Sequence, residues 1–135
     1  MDPVARAQYL EAAHNSHDID RFIDLFADNI VLSDYVLGVV NFDKAGIRTL
    51  YEGLFAGHEN LRFTTRKASG TDELFAWEVD LSFTAGSAIG FLNVGEGQDV
   101  VLKGVSVQRW EAGKIYDQQD YFMVEKIDGV PVVPV

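Results

Sequence analysis

Residues 104–122 carry two β-rich arms around a turn at Ala112-Gly113, the pattern of a long hairpin. That pattern commits the C-terminal part of the chain to antiparallel sheet. The second arm ends on Asp120, set between Gln119 and the aromatic pair Tyr121-Phe122. Asp is depleted from strands because its short side chain competes for backbone hydrogen bonds. An Asp inside a strand therefore needs either solvation or a chemical role. Two further β-rich stretches, around Asp34 and Asp80, raise the same question.

The chain has 135 residues, enough for one domain that buries roughly two-thirds of its unfolded surface. One domain over 1–135 is expected, with a core at about 3–126 and an extended tail at 127–135. No apolar run approaches the ~20 residues of a membrane span, so no membrane association is expected. Residues 1–10 lack the apolar segment of a signal peptide, and the absence of Cys removes disulfide and thiolate chemistry. Both features suit a cytoplasmic protein. Only His14, His17 and His58 are available to join carboxylates, so neither a closed metal site nor a cofactor is expected. The net charge of −10 sets up a field that repels nucleic acid and anionic lipid. The one local basic cluster, Arg62 with Arg66 and Lys67, reads as a solvated strand face. A hydrophobic small molecule is the expected partner.

Asp2 followed by Pro3 supplies an N-cap and a first-turn Pro, which predicts a helix over 4–14. Asp18 is placed to cap a second helix, with Ile19, Phe22, Ile23 and Phe26 at helical spacing. The β-branched and aromatic run at 30–37 predicts a strand. Asp43 caps a third helix over 44–55, with Ile47, Leu50, Tyr51 and Leu54 on one face and Gly57 at its end. Strands follow at 60–69, 74–85, 99–110 and 114–125, with a Gly-punctuated loop at 88–98. Helices first and antiparallel strands after is the α+β pattern.

The segments at 13–20, 25–32 and 103–115 resemble the SnoaL-like polyketide cyclase family. That group shares its cone-shaped fold with nuclear transport factor 2, ketosteroid isomerase and limonene epoxide hydrolase. The resemblance covers roughly 9–122 and implies an α+β cone, three N-terminal helices packed on a curved, mostly antiparallel sheet. It also implies an acid–base enzyme that needs no cofactor. Asp34 falls where the isomerases keep their general base, Asp120 where the cyclases keep their acid/base, and Asp80 where the epoxide hydrolase has its second acid. These three are the expected catalytic residues. The chain departs from its relatives at Glu78 (Arg in the hydrolase), Leu32 (Tyr in the hydrolase), Ser106 (His or Asp in other members) and Leu10 (the oxyanion Tyr of the isomerases).

Alternation along the strand at 74–85 places Glu78, Asp80 and Ser82 on one face and Phe75, Trp77, Val79, Leu81 and Phe83 on the other. Patterning alone puts the apolar face in the core and the acids in water. The resemblance implies the reverse, with Glu78 and Asp80 in the cone and Trp77 and Phe83 on a convex face that pairs with a second copy as a homodimer. In the next two strands, Ser106, Gln108 and Trp110 face the same way as Tyr116, Gln118, Asp120 and Phe122. Glu78, Ser106, Leu32, Trp110, Phe122, Phe55, Phe91 and His14 are the expected substrate contacts, with Phe91-Leu92 as a mouth. His14 also suits a cation held at the end of the first helix. Asp34 also suits a turn-starter. The expected activity is isomerisation, cyclisation, dehydration or epoxide hydrolysis of a hydrophobic, oxygenated molecule. A non-catalytic binder of the same fold is the alternative, and a transport adaptor a distant third.

Overall fold

The computed structural model describes residues 1–58 and 60–132. Its elements are α1 (Pro3–Asn15), α2 (Ile19–Ile23), β1 (Phe26–Asp34), β2 (Val39–Phe42), α3 (Lys44–Gly57), β3 (Arg62–Gly70), β4 (Leu74–Thr84), β5 (Asp99–Glu111), β6 (Lys114–Ile127) and β7 (Val130–Pro131), with a 3₁₀ turn at Gly90–Leu92. The helix starts follow from capping chemistry. Asp2, Asp18 and Asp43 each accept a bond from the backbone N–H groups of the first turn that has no partner within its helix.

The strands form one sheet in the order β2-β1-β6-β5-β4-β3, with β7 on β6. Every pairing is antiparallel except β1 with β6. The helices close over one side, α1 on β3 and α3 on β1, with α2 against α3. Three helices on a curved, unclosed sheet make the cone-shaped α+β fold expected from the sequence. Several boundaries differ from that expectation. Phe26 opens β1 and is not in α2, because α2 stops at Ile23. β1 therefore starts earlier than 30, and residues 35–38 form a turn. β2 was not legible as a strand: it is four residues long, and Asn41 holds a positive φ of 55°. The expected tail at 127–135 contains β7, and residues 133–135 lie outside the described residues.

The core lies between helices and sheet. Phe22, Phe26, Phe75, Trp77, Val79 and Ile115 are buried, joined by Leu10 of α1 and Ile47 of α3. Trp77 donates its indole N–H to Thr65 Oγ1 at 2.9 Å, and Thr65 Oγ1 in turn donates to Glu11 Oε2 at 2.7 Å. Burial of the large ring therefore leaves no polar group unpaired.

β4 is oriented as its apolar pattern alone dictates and opposite to what the resemblance implied. Phe75, Trp77, Val79 and Phe83 face the helices, and none exceeds 7% exposure. Glu78 and Asp80 are on the other side, where Arg66 Nε reaches Asp80 Oδ1 at 2.7 Å and Arg66 Nη1 lies 3.7 Å from Glu78 Oε1. Desolvating two carboxylates would cost more than exposing them, whereas burying three aromatic rings is favourable. Arg66 also donates to the carbonyl of Gly104 at 2.9 Å, so the trio ties β3, β4 and β5 together from outside.

Candidate active site

A cavity of about 300 Å³ opens between the helices and the inner face of the sheet. Most of its wall is apolar: Leu50 and Leu54 of α3, Trp77, Val79 and Phe83 of β4, Leu102 of β5, and Phe91-Leu92 of the 3₁₀ turn at its edge. A small polar set, Asp34, Asp120, Ser106, Gln118, Tyr51 and His14, converges on it.

The two acids arrive together because β1 and β6 run parallel. Their register pairs Asp34 with Asp120, and Ser106 of β5 is the antiparallel partner of Asp120 from the other side. All three are buried, at 5%, 2% and 2% exposure. Asp34 ends β1 and starts the turn that follows. Its Oδ1 accepts from the N–H groups of Val36 and Leu37, both at 3.2 Å. The same carboxyl lines the cavity, so one residue fills both roles considered for it. Asp120 accepts from Gln118 Nε2 at 3.1 and 3.0 Å, and the Ser106 hydroxyl across the β5–β6 ladder also favours its charged form.

Burial raises the proton affinity of both acids. Desolvation, reinforced by the Asp34 charge, pushes the pKa of Asp120 up to about 7 against the pull of its two donors. Asp34 is also raised by desolvation, but two backbone N–H groups oppose the rise. The division follows the donor geometry. Backbone amides favour the charged form of Asp34, whereas burial and the charge of Asp34 favour the protonated form of Asp120.

Tyr51 was read from the sequence only as part of the apolar stripe of α3. It is buried, and both Asp120 and Asp34 act on its hydroxyl, which with desolvation holds its pKa well above the usual phenol value. Its hydroxyl therefore keeps its proton near neutrality, in the same cavity as the acid pair. Its signal was a single polar tip among the Ile and Leu residues of that face. His14 lines the cavity too, but not as a cation. Its ring is packed against Phe22, Phe63 and Trp77, with centroids 4.6–4.9 Å away. Desolvation there lowers its pKa to about 4, which overrides the helix dipole. Nδ1 lies 2.7 Å from the carbonyl of Leu10 and must donate to it, leaving Nε2 as an acceptor.

Among the other expected contacts, Ser106, Phe122 and Phe91 line the cavity. Asp80 and Glu78 do not, because β4 turns them outward to Arg66. Leu32 is fully buried but is not on the cavity wall, and Phe55 stacks on His17 at 5.0 Å. Trp110 is part of a separate cleft, under Arg6, whose guanidinium carbon sits 4.2 Å from its ring centroid. Among the described residues, no group of three or more His, Cys, Asp or Glu could hold a metal ion. Among the described residues, no helix is long and apolar enough to cross a membrane.

The chain matches known proteins along most of its length. A family model described as SnoaL-like domain matches residues 7–118. A cyclase, aurE, from Calcarisporium arbuscula is 24% identical over 115 residues, covering 84% of this chain and 81% of that protein. Among solved structures, a SnoaL-like polyketide cyclase from Agrobacterium tumefaciens superimposes with a TM-score of 0.74 at 20% identity, covering 91% of this chain and 93% of the other. A Δ5-3-ketosteroid isomerase from Mycobacterium sp. superimposes with a TM-score of 0.67 at 21% identity, covering 92% and 99%.

Proposed function

The chain belongs to the SnoaL-like domain family, and from that premise we propose that it is a cofactor-independent acid–base enzyme acting on a hydrophobic, oxygenated small molecule. One observation carries the reading: two buried carboxyls, Asp34 and Asp120, stand at the same register on neighbouring strands against an otherwise apolar cavity. Such a site suits proton abstraction next to a carbonyl, the step shared by isomerisation, aldol-type cyclisation and dehydration. Asp34, ionised and held by backbone N–H groups, takes the proton from carbon. Asp120, protonated, donates toward the substrate oxygen, and Tyr51 adds a second donor to the same developing charge. The apolar walls exclude water and hold the carbon skeleton.

The cheapest test needs no knowledge of the natural substrate. The protein should catalyse exchange of the α-protons of a cyclic ketone in D₂O, followed by proton NMR. Asp34→Asn should slow that exchange by about 10²- to 10⁴-fold while leaving ketone binding within a few-fold. Exchange that persists at the wild-type rate in that variant would remove Asp34 from the mechanism. A non-catalytic binder of the same fold is favoured by one observation: α1 presents buried Leu10 where an oxyanion donor would stand. Absence of exchange across a ketone panel, with binding retained, would select that reading.

The proposal includes a homodimer through the convex side of the sheet, with a different patch from the one expected. Trp77 and Phe83 are buried, whereas Tyr35, Tyr121 and Met123 are 48–52% exposed and the two Tyr rings stack at 5.1 Å. Contiguous exposed aromatic surface marks an interaction site. Tyr121→Lys is expected to shift the protein to monomer in sedimentation equilibrium; an unchanged mass would place the interface elsewhere.

A further inference from the structure

Ser106, Gln108 and Trp110 alternate along the inner face of β5, and all three are buried. Their side chains form a chain of hydrogen bonds that ends on Ser106, the cross-strand neighbour of Asp120. Trp110 Nε1 donates to Gln108 Oε1 at 3.0 Å, and Gln108 Nε2 donates to Ser106 Oγ at 3.0 Å. Ser106 is the register partner of Asp120 on β6, both line the cavity, and the Ser106 hydroxyl favours the charged form of that acid. Gln108 has no exposed surface and does not line the cavity, so substrate contact does not explain a buried amide there.

The direction of the chain follows from its far end. An indole N–H only donates. Gln108 must therefore turn its carbonyl oxygen to Trp110 and its NH₂ to Ser106. The Ser106 oxygen then accepts from Gln108, which leaves its single proton for Asp120. Each link has one possible polarity because Trp110 has one. We infer that Trp110 is a positioning residue, which through Gln108 and Ser106 aims a donor at Asp120 and so sets the pH at which that acid gives up its proton. The inference rests on Asp120 being the acid of the proposed reaction.

Nothing else at the site substitutes for this control. Asp34 faces Asp120 from β1, Tyr51 from α3, and His14 and His58 line the same cavity from α1 and the segment after α3. Asp34 adds negative charge, which holds the proton on Asp120. Tyr51 and the deeply buried His14 are uncharged near neutrality. Gln118 donates from β6 itself, independently of Trp110. The positive charge of Arg6 sits over the opposite end of the chain, on the Trp110 ring.

Trp110→Phe keeps the ring beneath Arg6 and removes only the N–H. The Gln108 amide is then free to reverse, accept the Ser106 proton and take that donor away from Asp120. In the full-length protein, titration of the Asp120 carboxyl carbon by NMR should move upward by roughly one unit, the size of one charge-assisted hydrogen bond. Gln108→Met, of similar shape but with no amide to reverse, leaves the Ser106 proton to Asp120 and should leave the titration unmoved. Ser106→Ala should match the shift, and adding Trp110→Phe to Ser106→Ala should add nothing. An unmoved Asp120 in Trp110→Phe, an equal upward shift in Gln108→Met, or a Trp110→Phe shift that persists without Ser106, overturns the inference. Because the readout needs no substrate, the shift in a protein lacking ketone exchange would dismiss the enzyme and keep the chain. Exchange without the shift would do the opposite.

Discussion

Asp120→Asn should slow turnover and at the same time make the protein more stable above neutral pH. The pKa of Asp120 is about 3.8 when unfolded and about 7 when folded. Below pH ~4 both states carry the proton, and the group favours neither. As the pH rises from about 4 to 7 the unfolded chain releases the proton while the folded one keeps it, so folded stability falls. Above about 7 the full penalty is present and constant. A shift of about three units corresponds to roughly 4 kcal/mol, an order-of-magnitude figure for a buried acid coupled to Asp34. Asn matches the shape of the carboxyl, can still accept from Gln118 and carries no charge to desolvate. At pH 8 the variant should therefore melt roughly 10 °C higher than the wild type, and at pH 3 the two should coincide. Turnover should drop by about 10²- to 10⁴-fold. A melting difference that ignores pH, in thermal scans from pH 3 to 8, would mean the carboxyl is not held out of water at this expense. Natural retention of an acid that destabilises the fold is what a working group predicts.

The second large effect concerns Gly104 on β5. A Cβ built there would overlap the carbonyl oxygen of Tyr121 and the ring of Phe122 on the neighbouring strand. The carbonyl belongs to the sheet ladder and cannot move away, and Phe122 is part of the cavity wall. Gly104→Ala is expected to cost about 3 kcal/mol in urea unfolding, at the upper end for overpacking, and to displace Phe122 from the cavity. A loss under ~0.5 kcal/mol would show that β5 and β6 can separate locally at no cost. Arg66 binds the Gly104 carbonyl from outside, so the strand has little freedom to shift.

Much of the fold was legible because its signals are local. Asp2-Pro3, Asp18 and Asp43 announce helix starts through their own capping bonds. The arms of the long hairpin announce themselves by β-rich composition. Alternation in β4 sorted Trp77 from Glu78 and put the apolar set in the core; the resemblance pointed the other way, and Arg66, on another strand, holds the acids outside. β2 is too short to leave a pattern. Asp34 and Asp120 were visible as acids in unusual places, and their meeting depends on a parallel pairing that no local pattern encodes. Tyr51 stayed hidden because an aromatic residue in a buried stripe looks the same whether its hydroxyl is idle or used.

That parallel pairing has a consequence for how the molecule assembles. Tyr35 and Gln119, which bond across it, are 84 residues apart in the chain. The hairpin of β5 and β6 closes a short loop and can form early, whereas joining β1 to β6 closes more than half of the chain on itself. Until then each acid stands in water with an ordinary affinity for its proton. The strained electrostatics of the pair come into being only at the final closure. Alkaline conditions should therefore slow that last step and leave the earlier hairpin untouched, making the seam between β1 and β6 the place where the fold first comes apart.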